Sequence, residues 1–166
     1  SHRKNIGTPL DTGSMLMIAE FDPVHPERLI SEPKCLSRPL YGFENTEHTI
    51  NNEGPYAFYY NNKIYLAYSG GDARGYLYAI GMLTANDGDD LCDLSVWEKA
   101  KTPIASFATI PGEYGPGHNS FFWDRDQNLW IAYHAVTSFE EKIVSSGMRR
   151  VYFEQDKTPR FDVIVE

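Results

Sequence analysis

The sequence predicts an all-β chain built from about two and a half four-stranded propeller blades, for three reasons. A strand pair is duplicated: residues 53–69 lie over residues 118–134 without a gap, with Phe58 on Trp123, Ile64 on Leu129, Tyr65 on Trp130, Leu66 on Ile131, Ala67 on Ala132 and Tyr68 on Tyr133. Short apolar runs alternate with Gly, Pro, Asn and Asp clusters throughout, the pattern of strands and turns. Aromatic residues make up 14% of the chain, Tyr most of all, and such side chains cover half-buried pleated surfaces.

The elements follow in order. Residues 14–21 read as an apolar strand, ended by Asp22-Pro23 and Pro26. Residues 29–40 read as a short strand and an ordered loop. Residues 55–60 and 64–69 form a hairpin around Asn61-Asn62-Lys63, and residues 76–84 add a third strand. Residues 86–95 are a polar connection with one helical turn, leading to an outer strand at 97–104. The second copy repeats the hairpin at 121–123 and 129–134 around a turn at 124–128. Strands at 148–154 and 160–165 complete it. The predicted domain is one incomplete propeller over 1–166, with outer strands of one blade at 14–36, a second blade at 53–104 and a third at 118–166. Propellers close with about four to eight blades, so this number leaves two faces open. The expected complement is a set of missing N-terminal blades, with a second copy of the chain as the other solution.

A net charge of −8 argues against nucleic acid and against anionic membrane surfaces as partners. No apolar run has the length of a membrane span. The sequence opens Ser1-His2-Arg3-Lys4, without an initiator Met, which reads as a chain whose natural N-terminus lies upstream; cellular location stays open. Cys35 and Cys92 are too few for a disulfide framework and read as free thiols.

The first positions of the duplicated segments differ, Glu53 in one copy and His118 in the other. A shared apolar frame with unlike titratable residues at one end suggests that this end faces a common site. Glu53 has Pro55, Tyr56 and Phe58 as a partly apolar setting, against the plainer reading of a loop glutamate before a strand. His118 reads as a channel residue or as a histidine packed at a blade's inner end. His134, equivalent to Ser69, reads as structural. Asp72 lies in the glycine-rich segment 69–75, where a sugar contact and a plain turn are equally open. Glu113 could reach the same site, though Pro111-Gly112 marks a turn. The acidic run 86–90 lacks the ligand spacing of an EF-hand loop and reads as a solvated turn. Nucleophile elbows, phosphate loops and zinc motifs are absent from the sequence.

Five segments carry a resemblance. These are Asn52-Glu53-Gly54-Pro55, Ile64-Tyr65-Leu66-Ala67-Tyr68-Ser69, residues 114–121 (YGPGHNSF), Tyr133-His134-Ala135, and residues 39–44 (PLYGFE). Together they resemble glycoside hydrolase family 43. The resemblance implies a five-bladed β-propeller that cleaves arabinose- or xylose-containing polysaccharides with inversion. It implies that Glu53 is the general acid, and that His118 lies in the central channel and helps hold a calcium ion or ordered water. It also implies that Arg149 or Arg150 lines the sugar site. Inversion needs two carboxyl groups roughly 6.5–9.5 Å apart, one to protonate the leaving oxygen and one to activate water. The family's base aspartate, in an Ala-Asp-Pro-like motif, is missing here, as is the second aspartate that orients the acid; Phe21-Asp22-Pro23 follows a strand end and does not open a blade. The chain is therefore expected to be the C-terminal part of such an enzyme, inactive alone. A non-catalytic carbohydrate-binding propeller is the alternative, and a protein-interaction propeller a third.

Overall fold

The computed structural model describes residues 2–138, 140 and 143–163. Strands β1 (Leu16–Ile18) and β2 (Lys34–Ser37) form an antiparallel pair. The predicted strand at 14–21 is cut short because Phe21 already bridges Leu29 across a loop. A 3₁₀ turn at Gly42–Glu44 and the small hairpin β3 (Asn45–Thr46) and β4 (Thr49–Ile50) follow. Four antiparallel strands then pair in sequence order: β5 (Asn52–Tyr60), β6 (Lys63–Gly70), β7 (Ala79–Asn86) and β8 (Glu98–Lys99). The β5–β6 turn is only Asn61-Asn62, both with φ positive (49° and 62°), and Lys63 already belongs to the strand. Two-residue hairpins favour this conformation because it follows the strand twist, and Asn tolerates it.

The next sheet has three strands, β9 (Tyr114–Trp123), β10 (Leu129–Ser138) and β11 (Ile143–Arg150). Here the structure corrects the expected strands. The third strand starts at Ile143 rather than 148 and ends at Arg150. Beyond Val151 the chain pairs with itself, as β12 (Tyr152–Phe153) and β13 (Pro159–Arg160), so the expected fourth strand at 160–165 does not extend this sheet within the described residues. Arg160 is tied instead to Glu154 and Asp162 beside it. Residues 164–165 of that prediction lie outside the described residues.

The two larger sheets are stacked face to face. Phe58, Tyr65, Ala67, Ile80 and Met82 from one meet Phe121, Leu129, Ile131 and Tyr133 from the other. Phe58 stacks on Tyr65 at 4.9 Å and touches Phe121 at 4.5 Å between ring centres. The opposite face of β6 is buried too: Leu66 and Tyr68 pack with Leu83, Leu16, Leu36 and Phe43. Alternate residues of β6 thus serve two interfaces, as in the middle blade of a stack. The outer face of the last sheet is uncovered. Trp130 pairs with Phe122 and Arg150, and Ala132 with Met148, yet Phe122 is 41% and Met148 62% exposed. Trp130 holds the place that Tyr65, 1% exposed, uses to pack on the following sheet. Among the described residues, no helix is long and apolar enough to cross a membrane. Cys35 and Cys92 are unbridged.

Candidate active site

Glu53 and His118 are brought to the same end of the stacked sheets by two matching irregularities. In β5 the register runs Glu53–Ser69, then Tyr56–Ala67, so the strand bulges at Gly54-Pro55. In β9 it runs Gly117–His134, then Ser120–Ala132, so the bulge falls on His118-Asn119. Gly54 (φ 55°) and His118 (φ 51°) occupy the left-handed region at corresponding places. A histidine there is strained, and such residues cluster at functional sites. The gapless alignment of the two copies therefore holds for β6 and β10 but slips by one in β5 and β9. By strand pairing, the counterpart of Glu53 is Gly117, and His118 is the bulged residue beside it.

Tyr78, just before β7, completes the group. Its side chain is fully buried, and its hydroxyl donates to Glu53 Oε1 at 2.8 Å. Burial pushes the Tyr78 phenol far above its ordinary value, while the neighbouring Ser69 hydroxyl opposes the rise. Ser69 Oγ accepts the backbone N–H of His118 at 2.7 Å. The His134 ring lies parallel to that of Tyr78 (5.6 Å, 7°) and near that of His118 (6.4 Å, 24°). Burial, then the charge of His118, hold His134 below the usual histidine range, so it is neutral at neutral pH. Glu53 is half-buried and His118 exposed, which leaves a carboxyl open to solvent on one side.

Gly117 makes room for this arrangement: a Cβ there would collide with the Tyr78 ring. Gly117→Ala is expected to destabilise the chain by about 1–3 kcal/mol, the usual effect of overpacking, measured as a shift in urea midpoint. The Tyr78–Glu53 bond should loosen with it.

Asp72 and Arg149 lie outside this group. Asp72, between β6 and β7, accepts from Thr49 and Arg74, and the Arg74 bonds hold its carboxyl below the ordinary range. Its neighbour Ala73 touches His134 through the backbone, so the Asp72 loop reaches the rim of the site. Arg149 donates to Tyr133 Oη (2.7 Å) and Glu113 Oε1 (2.7 Å), and Tyr133 donates to Glu113 Oε2 (2.5 Å). This triad joins Arg149 and Glu113, which the sequence had offered separately. Among the described residues none of its bonds reaches Glu53, Tyr78, His118 or His134. Arg150 faces the open side and stacks on Tyr152 at 5.1 Å. A cavity of about 540 Å³ lies there, lined by Trp130, Met148, Arg149, Arg150 and Tyr152 among others. It belongs to the uncovered sheet face, not to the Glu53 end.

His118 can offer one imidazole nitrogen to an ion. A calcium site needs about six to eight oxygen ligands. Among the described residues, the one set of three acidic or thiol groups close enough to share an ion is Glu20, Asp90 and Cys92, within 4.8 Å of one another. None of these belongs to the Glu53 group. Among the described residues, no set of three such groups includes His118.

Stacked antiparallel blades with a half-buried glutamate held at one end define a partial β-propeller. The model of the glycosyl hydrolases family 43 matches residues 9–159, and the chain belongs to that family. It is 29% identical over 163 residues to an extracellular exo-α-(1→5)-L-arabinofuranosidase of Streptomyces avermitilis, covering 93% of this chain and 33% of that enzyme. It is 35% identical over 126 residues to the enzyme of the same description from Streptomyces chartreusis, covering 75% of this chain and 37% of that one. The crystal structure of an α-L-arabinofuranosidase from Lactobacillus brevis superposes with a TM-score of 0.77 and 30% identity, over 89% of this chain and 46% of that one. The chain thus spans about a third of the length of these curated relatives.

Proposed function

We propose that the chain is part of an inverting glycoside hydrolase that removes arabinofuranosyl or xylosyl units from hemicellulose, with Glu53 as general acid. The observation that carries this reading is the Glu53 carboxyl itself. One oxygen is fixed by a buried phenol and the other has no hydrogen-bond partner among the described residues, at the end where two blades meet. The relatives described as arabinofuranosidases support it. In such a reaction Glu53 would protonate the glycosidic oxygen as the bond breaks. A second carboxylate would take a proton from water on the opposite face. The Ala-Asp-Pro-like motif of the base is missing from the sequence, so the base would come from outside this chain.

His118 and the Asp72 loop would border the sugar. Arg149 would contribute by bracing the third blade through Glu113 and Tyr133. A calcium ion at His118 would draw its oxygens from water, and no step here depends on it. Further blades, or a second copy, would cover the faces exposed at Met148 and Phe122.

Hydrolysis of nitrophenyl arabinofuranoside and xyloside tests the reading. The chain alone should release little or nothing, and the chain joined to preceding blades that carry an aspartate should be active. Full activity from the chain alone would overturn the placement of the base. The missing base motif also favours a second reading, a propeller that binds glycan without cleaving it. That reading predicts calorimetric binding of arabino-oligosaccharides and no turnover from the extended protein either.

A further inference from the structure

We infer that Tyr78 is the residue that positions the Glu53 carboxyl, as the last member of a hydrogen-bond chain that begins on the His118 backbone. The inference deepens the proposed function and rests on Glu53 being the acid. The chain has a direction. The His118 N–H donates to Ser69 Oγ at 2.7 Å, which occupies a lone pair there and leaves the Ser69 proton to point elsewhere. The Tyr78 phenol lies beside it, and Tyr78 Oη donates to Glu53 Oε1 at 2.8 Å. Four strands from both blades contribute, so the carboxyl is oriented by the joint between the blades and not by its own strand alone.

Tyr78 is suited to this task. It is 0% exposed, and its ring is held between the Gly117 backbone and the parallel His134 ring. Burial keeps the phenol protonated through the working pH range, so it is always a donor toward Glu53. A buried tyrosine needs a partner for its hydroxyl, and most find a backbone carbonyl or water. This one takes the carboxylate. The consequence concerns the reaction: with Oε1 receiving the Tyr78 hydrogen, the proton that Glu53 gives away must reside on Oε2. Tyr78 does not itself meet the substrate.

The test is a carboxyl ¹³C NMR titration of Glu53 in this chain. Tyr78→Phe removes a donor that favours the ionised carboxyl, so the Glu53 midpoint should rise. Tyr78→difluorotyrosine keeps the ring and gives a stronger donor, so the midpoint should fall. Ser69→Ala should raise it by less than Tyr78→Phe does. A midpoint that moves with neither Tyr78 variant, in protein whose amide spectrum stays native, would reduce Tyr78 to a packing residue. If Tyr78→Phe does not fold, the difluorotyrosine protein decides alone. The two readings fail separately. Hydrolysis that survives Glu53→Gln removes the acid role and leaves the titration result standing. A flat titration beside lost hydrolysis removes only the positioning role.

Discussion

Glu53→Gln is expected to lower hydrolysis of arabino-oligosaccharides by roughly 10²- to 10⁴-fold in the form of the protein that cleaves them, the usual contribution of a general acid. The amide keeps the size of the side chain, and its carbonyl oxygen still accepts the Tyr78 hydroxyl. It has no acidic proton to give to the leaving oxygen. The loss should therefore fall on kcat, with KM nearly unchanged, because sugar contacts are not disturbed. Substrates that need no protonation separate this role from a structural one. A dinitrophenyl arabinofuranoside has a leaving group that departs as a stable anion, and its hydrolysis should suffer far less than that of the oligosaccharide. Equal losses on both substrates would point to a collapsed site. No loss on either would remove Glu53 from the chemistry.

The sequence made parts of this site legible and hid others for physical reasons. β6 and β10 could be matched residue by residue, because side chains alternate with a period of two and the two strands keep the same frame. The strands before them could not. Four residues, 60–63, separate the paired Tyr59 and Ile64, and five, 124–128, separate the equivalent pair Trp123 and Leu129, so the preceding strand shifts by one against its partner. A shift of this kind moves each side chain to the other face, and only the pairing reveals it. Glu53 and His118 still arrive together, because each strand bulges there. Tyr78 was invisible as a site residue. It stands among aromatic and small residues at the head of a strand, where a tyrosine reads as core. The one hint was Gly117, whose missing side chain makes room for a ring that no local pattern could name. His134 read as structural, and its stacking on Tyr78 shows why packing and site geometry are the same fact here. Arg149 and Glu113 read as separate candidates because they stand 36 residues apart in sequence and meet, directly and through Tyr133, only in the folded sheet.

The largest effect on stability should come from Glu44→Ala. Glu44 is 0% exposed and sits where the first blade meets the second. Its Oε1 accepts from Tyr68 (2.7 Å), Asn52 (2.9 Å) and Lys99 (2.5 Å), and its Oε2 from the backbone N–H groups of Leu40 (2.7 Å) and Tyr41 (2.8 Å). Removing the carboxylate strands all of these donors at once, including a half-buried ammonium whose charge burial already disfavours. Breaking a buried ion pair in this way typically costs about 3–5 kcal/mol, against a whole-domain stability of about 5–15 kcal/mol. Urea unfolding should show a loss of that order. Lys99→Met leaves the buried Glu44 charge without its cation, but Tyr68, Asn52 and the Leu40 and Tyr41 N–H groups still donate to it, so the cost should be smaller. The ranking separates a carboxylate that organises a junction from an ordinary salt bridge: in an ordinary bridge the two substitutions would cost about the same, and that result would refute the junction role. The effect should also reach the site. Asn52 is fully buried, donates to Glu44, accepts from the Ser37 hydroxyl (2.8 Å), and directly precedes Glu53. The start of β5 is therefore held from two sides, by Glu44 behind Asn52 and by Tyr78 in front of Glu53. Loss of the first support should disorder the second, so the folded remainder of Glu44→Ala should show a weakened Tyr78–Glu53 bond even though neither residue was changed.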